Sequence, residues 1–157
     1  MYKETVTFFN YCESNDAGLW YPHVLSGVHL ETDRGAIIKK YGPDSTDNAG
    51  VHIVFTENDG QRIITDAAGK ELIWLPPKAW AKQTNGDLSG SITFNPANDF
   101  FWKGVWEEGD PIPDDTYAGR KGEGFFAHMN RNYDFVFLIS SVNGPYGVIP
   151  HFEITGR

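Results

Sequence analysis

The chain is 157 residues long and carries 13 Lys and Arg against 21 Asp and Glu, a formal net charge of −8. This length suits one domain, expected over residues 1–157, and the negative charge argues against a broad nucleic-acid-binding surface. Aromatic residues make up 15% of the chain, which is too many for a disordered segment. With 17 Gly and 9 Pro, the composition favours turns over long helices and predicts an all-β class.

Nothing in the sequence predicts secretion or a membrane span. Cys12 is the only cysteine, so no disulfide can form within the chain, and no Asn-x-Ser/Thr triplet is present. The N-terminal segment lacks a basic region followed by an apolar stretch, and the longest apolar run is Phe135–Ile139. We therefore expect a soluble protein.

Alternating apolar and polar residues predict strands along the first third of the chain. One lies around Val6, and a second runs from Trp20 to about Leu25, where Gly27 is expected to end it. Gly35–Gly50 is predicted to be a long loop with a short strand at Ala36–Lys40, because it is rich in Gly, Asp and Ser. Further one-sided strands are indicated by Val28 with Leu30 and by Val51 with Ile53 and Phe55.

The middle of the chain predicts more strands and the helices. Leu72–Leu75 is predicted to be a strand and Pro76–Lys82 one or two helical turns, since Pro is tolerated in a first turn. Glu123–Tyr133 has the apolar spacing of an amphipathic helix. Ile92 and Phe94 mark another strand, and beyond it Phe100, Trp102 and Trp106 alternate with Phe101, Lys103 and Val105.

The C-terminal region predicts a hairpin. Phe135–Val142 is nearly continuously apolar, Asn143–Gly147 has turn composition, and Phe152 and Ile154 alternate with polar residues. The first strand is expected to be buried on both sides. The second is expected to be one-sided and near a sheet edge, because Pro150 lies near its start.

Together these elements predict one compact β-barrel or β-sandwich of seven to nine strands with one short helix. Its interior is expected to hold the apolar face of every strand. These faces are Val6, Phe8, Val28, Leu30, Val51, Ile53, Phe55, Leu72, Trp74, Ile92, Phe94, Phe137, Ile139, Phe152 and Ile154.

Motifs for nucleotide binding or covalent catalysis are absent from the sequence. The five histidines lack the spacing of a known zinc motif, although neutral imidazole binds Zn²⁺ well. His29, His52 and His151 fall on the more polar faces of predicted strands. We expect solvated or hydrogen-bonded histidines, with a metal site on a shared face as the alternative, and we assign no metal ligand or cofactor. The remaining histidines are His23 and His128.

Glu107–Asp115 holds five acids and two prolines in nine residues, which excludes a helix interior or a central strand. We expect a stiff, exposed acidic segment that contacts a partner. A calcium site or a carboxylate pair for glycoside hydrolysis is the alternative, since both need convergent oxygens. The candidate assembly surface comprises Glu107, Glu108, Asp110, Asp114, Asp115 and Tyr146.

Several tryptophans suggest a different kind of function. Flat indole faces stack on sugars or bases, so an exposed set would favour a carbohydrate-binding module. Core packing is the alternative for most of them. The tryptophans concerned are Trp74, Trp80, Trp102 and Trp106.

Several blocks of the sequence carry a resemblance to a known family: Asn132–Gly147 with His151–Gly156, Glu4–Asn10, Tyr21–Val28 and Asp99–Gly104. In these blocks the chain resembles a small family encoded among the virion structural genes of bacteriophages and prophages. The resemblance includes no catalytic residue, so it implies a structural protein and not an enzyme. Similar proteins are head–tail connectors (head-closure or adaptor proteins) or minor capsid components built on β-barrels.

The resemblance also implies partners and a location. A ring of identical subunits is expected, joined to portal, adaptor or tail proteins, in a virion assembled in the cytoplasm of a bacterial host. The Gly35–Gly50 loop and the acidic segment Glu107–Asp115 would contact neighbouring subunits. The protein would then act by holding subunits in a fixed arrangement and not by catalysing a reaction.

Overall fold

The computed structural model describes residues 3–14, 17–32, 49–83, 88–118 and 123–157. Strands dominate the described residues, as the composition predicts. The strands are β1 (Glu4–Ser14), β2 (Ala17–Thr32), β3 (Ala49–Val54), β4 (Thr56–Asn58), β5 (Gln61–Thr65), β6 (Glu71–Trp74), β7 (Ser91–Ile92), β8 (Phe100–Trp102), β9 (Ile112–Pro113), β10 (Val136–Tyr146) and β11 (His151–Gly156). These eleven described strands exceed the seven to nine expected, because several pieces are only two or three residues long.

Six strands form a closed barrel in the order β1-β8-β10-β11-β3-β2, and β1 pairs with β2 to close it. The two-residue strand β9 adds to the outer edge of β2, and β4, β5, β6 and β7 form a second sheet. The all-β class is therefore confirmed, in the form of a barrel. The predicted strand at Ala36–Lys40 lies outside the described residues.

The prediction that Gly27 ends a strand is wrong. β2 continues through Gly27, which has a φ of +66°. The register against β1 passes from Leu25 to Val28 on β2 while β1 advances only from Val6 to Glu4, so β2 holds one extra residue there. Gly27 thus makes a β-bulge that bends the strand, a conformation that glycine adopts without strain.

The predicted turn at Asn143–Gly147 is also misplaced. β10 extends to Tyr146, and the turn to β11 follows at residues 147–150. Gly144, with a φ of +109°, lies where the register with β11 shifts between Asn143 and Tyr146. The glycine therefore again marks a bulge, which places Tyr146 opposite His151.

β11 is one-sided, as predicted, but it is not near a sheet edge. Its side chains alternate between half-buried and buried, and it pairs with β10 on one side and β3 on the other. Pro150 precedes the paired residues, and its carbonyl accepts a hydrogen bond from the Phe55 amide at 3.2 Å. Proline therefore marks the start of this strand and not an exposed edge.

The interior is one cluster of apolar side chains, to which the second sheet also contributes. All fifteen residues predicted to face inward belong to it or pack against it, and of these fifteen only Leu30 and Trp74 are half-buried. Aromatic rings fill the centre: Phe94 lies 5.1 Å from Phe8 and 5.3 Å from Phe152, between ring centroids. The barrel interior is thus occupied by the protein's own side chains.

Both predicted helical segments are present and cover the outside of the strands. α1 (Pro77–Ala81) buries Trp80, and α2 (Phe125–Asn132) buries Phe125 and Met129 against the outer face of the barrel. A short 3₁₀ helix, Asp114–Tyr117, precedes α2. No helix among the described residues is both long and apolar enough to cross a membrane.

Replacing Ile139 by Asp tests the position of β10. Ile139 is buried in the interior cluster, so Asp there is an uncompensated buried charge, which costs about 3–5 kcal/mol. We expect Ile139→Asp to be insoluble or unfolded, as measured by circular dichroism. Val105→Asp, at a half-exposed valine, is the control and should fold normally. A folded, soluble Ile139→Asp protein would contradict this assignment.

A buried carboxylate, Asp99, joins β1 to the segment before β8. Its Oδ1 accepts a hydrogen bond from the Tyr11 amide at 2.9 Å, and its Oδ2 accepts from Asn10 Nδ2 at 2.9 Å and the Asn95 amide at 3.0 Å. Burial raises the pKa of Asp99 to about 7, although the three hydrogen bonds act in the opposite direction. Because the folded pKa lies above the unfolded value, the folded protein binds an extra proton between about pH 4 and 7.

Asp99 should therefore make stability depend on pH. Its contribution is most favourable below about pH 4 and is lost as the pH rises to about 7, because the ionised form is penalised by burial. We expect the free energy of unfolding of the native protein to fall over this interval relative to that of Asp99→Asn. Urea denaturation at a series of pH values measures the difference. A difference that is constant from pH 4 to 8 would contradict the raised pKa.

Candidate functional site

The acidic segment Glu107–Asp115 lies on the surface around β9. Glu107, Glu108, Asp110 and Asp115 are exposed. Among the described residues, only His52, His151 and Glu153 form a group of three that could hold a metal ion, so the acids of this segment do not converge. Its side chains are available for contact with a partner, and the calcium alternative gains no support.

Asp114 differs from the other acids of the segment because it is committed to the fold. Its Oδ1 accepts hydrogen bonds from Trp20 Nε1 and from the Phe125 amide at the start of α2, both at 2.8 Å. A carboxylate is favourable at the N-terminal end of a helix, because the first backbone amide groups there have no partner within the helix. A side chain at Gly124 would collide with the Asp114 carboxylate, so this close approach requires glycine. Asp114 therefore holds α2 on the barrel, and its place in the candidate assembly surface stays a prediction.

The two neighbouring aspartates should respond differently to truncation. Asp114→Ala leaves Trp20 Nε1 and the Phe125 amide without an acceptor, and we expect a loss of about 1–3 kcal/mol in the free energy of unfolding. Asp115→Ala, at an exposed side chain, should change it by less than about 0.5 kcal/mol. Denaturant unfolding of both variants measures the contrast. Equal stabilities would contradict the structural role of Asp114.

The tip of the β10–β11 hairpin, Gly147–Pro150, exposes two aliphatic side chains that the sequence analysis missed. Val148 is 99% exposed and Ile149 is 68% exposed. Tyr146, which was assigned to the assembly surface, lies beside the tip and is exposed. The two adjacent aliphatic residues are visible in the sequence, but the predicted turn begins at Asn143, four residues before the observed turn.

Four strands carry a row of rings across the outer face of the barrel. In spatial order the rings are Tyr146 on β10, His151 on β11, His52 on β3 and His29 on β2, with centroid separations of 4.9, 5.8 and 5.8 Å. His52 lies opposite His29 in one ladder and opposite Glu153 in the other. The register thus brings together the three histidines that the sequence places on polar faces.

The histidines in this row are accompanied by two glutamates. Glu153 Oε1 lies 3.4 Å from His151 Nε2 and 3.8 Å from His52 Nδ1. Glu31 Oε1 lies 3.0 Å from His29 Nε2, and this hydrogen bond lowers the pKa of the Glu31 carboxyl. Two imidazoles and a carboxylate on one face are chemically able to exchange protons or to ligate a metal ion.

The other two histidines lie elsewhere. His23 is buried on β2, where desolvation lowers its pKa to about 3, and its Nε2 has no hydrogen-bond partner. His128 on α2 packs against Tyr117 with ring centroids 4.6 Å apart. Neither belongs to the group on the barrel face.

The tryptophans do not form an exposed platform. Trp20 and Trp80 are buried, and Trp74, Trp102 and Trp106 are half-buried against the apolar clusters. Core packing therefore accounts for their burial. The hypothesis of a carbohydrate-binding module is therefore not supported by any fully exposed indole among the tryptophans, and it stays a prediction.

Comparison with known proteins identifies a family. A family model described as "Family of unknown function (DUF6751)" matches residues 1–157, which is the whole chain. No curated protein and no solved structure matches the chain significantly. The chain therefore belongs to DUF6751, a family of unknown function.

Proposed function

We propose that this protein acts by assembly and not by turnover, as a structural component of a bacteriophage or prophage particle. The resemblance noted in the sequence suggests a head–tail connector or a minor capsid component, made in the cytoplasm of a bacterial host. The observation that carries the assembly proposal is the hairpin tip, where Val148 and Ile149 are exposed side by side. Removal of exposed apolar side chains from water in a contact with a partner lowers the free energy, so such side chains favour association.

The packing of the barrel supports a function on its outside. Phe8, Phe101 and Phe137 are fully buried in the interior cluster, which leaves the barrel centre to side chains and not to a ligand. Closure pairs β1 with β2, and β9 pairs with β2 at Leu19 and Trp20, so the sheet of the barrel does not end in an open pair of strands. We expect contacts with a partner to use mainly loops, turns and outward side chains.

The hairpin tip and the acidic segment are two separate surface elements, since one is the turn between β10 and β11 and the other surrounds β9. Two different surfaces are what a head-to-tail contact needs, and such contacts form a ring when the rotation between neighbouring subunits closes.

Charge complements this arrangement. The net charge of −8 and the exposed acids of the acidic segment favour a partner with a basic surface, such as a portal, adaptor or tail protein. Electrostatic attraction of this kind speeds association and selects among partners, and salt weakens it.

Replacing the two aliphatic residues of the tip should weaken self-association. Burying one such side chain contributes about 1.5–3 kcal/mol, so Val148→Ser with Ile149→Ser should weaken association by more than about tenfold. Sedimentation velocity over a range of protein and salt concentrations measures this, and electron microscopy shows whether rings form. Val105→Ser, at a half-exposed valine outside the tip, is the control and should associate like the native protein.

Two results would contradict the proposal. One is a native protein that stays monomeric at every concentration and binds no head or tail component. The other is association that the tip variant leaves unchanged. The phage setting has a separate test, since mass spectrometry of particles induced from the bacterium that encodes the protein should detect this chain in them.

A further inference from the structure

We propose that His52, His151 and Glu153 form a binding site for one divalent transition-metal ion, with Zn²⁺ preferred, on the outer face of the barrel. Their ligand atoms all lie within 4.8 Å of one another. The site goes beyond the assembly function, because it needs no partner chain.

The hydrogen bond of His151 sets which nitrogen is free to bind. Its Nδ1 lies 2.6 Å from the carbonyl oxygen of Ile149, and a carbonyl can only accept, so Nδ1 carries the proton. In the neutral ring, Nε2 then presents a lone pair. A backbone carbonyl that holds the far nitrogen of an imidazole in this way is the usual support of a metal-binding histidine.

The lone pair of His151 Nε2 points toward another acceptor. Glu153 Oε1 lies 3.4 Å away, so a neutral histidine and a carboxylate would face each other with no hydrogen between them. A cation between the two removes this repulsion, and the candidates are a second proton on the ring or a metal ion. The presence of His52 Nδ1 at 3.8 Å from the same carboxylate oxygen favours the metal ion, because it supplies a third ligand.

Two of the three separations are close to those of tetrahedral coordination, and the third, between His52 and His151, is within 4.8 Å. Bonds of about 2.0–2.2 Å at the tetrahedral angle place ligand atoms about 3.3 Å apart. The His151–Glu153 separation of 3.4 Å already matches, and the His52–Glu153 separation of 3.8 Å is slightly long. His52 stacks parallel to His151 at 5.8 Å, so its ring must rotate to aim at the ion. His52 is half-buried on the outer face and does not belong to the interior cluster, so this rotation takes place outside the core.

Rigid elements hold the three ligands. His151 and Glu153 are two residues apart on β11 and therefore point to the same face, and His52 lies opposite Glu153 on β3. Tyr146 stacks on the other side of the His151 ring at 4.9 Å and limits its motion. The three ligands thus lie on a ladder between two central strands, and the adjoining turn supplies the Ile149 carbonyl that orients His151.

The donor set selects the metal. Two imidazole nitrogens and one carboxylate oxygen suit Zn²⁺ and related transition ions, whereas Ca²⁺ and Mg²⁺ prefer oxygen ligands alone. Three protein ligands leave one coordination position open. All three side chains are half-exposed, so water can occupy that position.

The proposal is tested by titrating Zn²⁺ into untagged full-length protein after chelator treatment, using isothermal calorimetry. We expect one ion per chain, and at least about tenfold weaker binding in each of His52→Gln, His151→Gln and Glu153→Gln. His128→Gln, at the histidine on α2, is the control and should bind like the native protein. Co²⁺ in place of Zn²⁺ should give the visible absorption of a tetrahedral site.

A second measurement does not depend on variants that fold. In nitrogen NMR spectra of the native protein at neutral pH, Zn²⁺ should shift Nε2 of His151 and leave its Nδ1 protonated. A His151 ring that is protonated at both nitrogens and unchanged by Zn²⁺ would overturn the proposal in favour of an ion pair with Glu153. Absence of saturable binding to the native protein, or equal binding in all three variants, would also overturn it.

Discussion

The packing of side chains inside the closed barrel is the constraint on which the other features depend. Successive residues of a strand point to opposite faces, so each inward position determines which neighbours face outward. Val51 and Ile53 are buried in the interior, which places His52 outside. The burial of Phe152 likewise places His151 on the outer face. The group of histidines on the surface is thus a consequence of the way in which the core is filled.

Closure of the barrel also decides where contacts with other molecules are possible. Pairing of β1 with β2 closes the strand order, and α2 covers the outer apolar face formed by residues such as Phe9 and Phe100. The acidic segment and the hairpin tip are two surface elements that remain exposed. The proposed metal site joins β3 to β11 at the base of that tip, so a bound ion would stiffen the same end of the molecule that the assembly proposal uses.

Asp99, which is buried, and Asp114, which is half-buried, show that a count of acidic residues overestimates how many carboxylates are free for contacts at the surface. Asp114 holds α2 through Trp20 and the Phe125 amide, and Asp99 accepts three hydrogen bonds within the scaffold. Both satisfy donors that would otherwise be buried without partners, which costs more than an ordinary hydrogen bond contributes. The position of Asp114 beside exposed acids in the sequence gives no sign of this structural role.

Local features of the sequence determined the class and the core. Strand alternation identified fifteen residues that lie in or against the interior cluster, and helical spacing located α2, because both periods depend only on neighbouring residues. Local sequence could not distinguish a glycine that ends a strand from one that makes a bulge. Gly27 and Gly144 both proved to be bulges, because pairing with the partner strand continues beyond them.

Only the tertiary structure decided which strands are neighbours. β11 lies between β10 and β3, and this pairing brings His151 and Glu153 beside His52, about a hundred residues earlier in the chain. The exposure of Val148 likewise follows from where the turn falls. Strand order and register are chosen by the free energy of contacts between residues distant in sequence, and no periodic pattern within one strand records that choice.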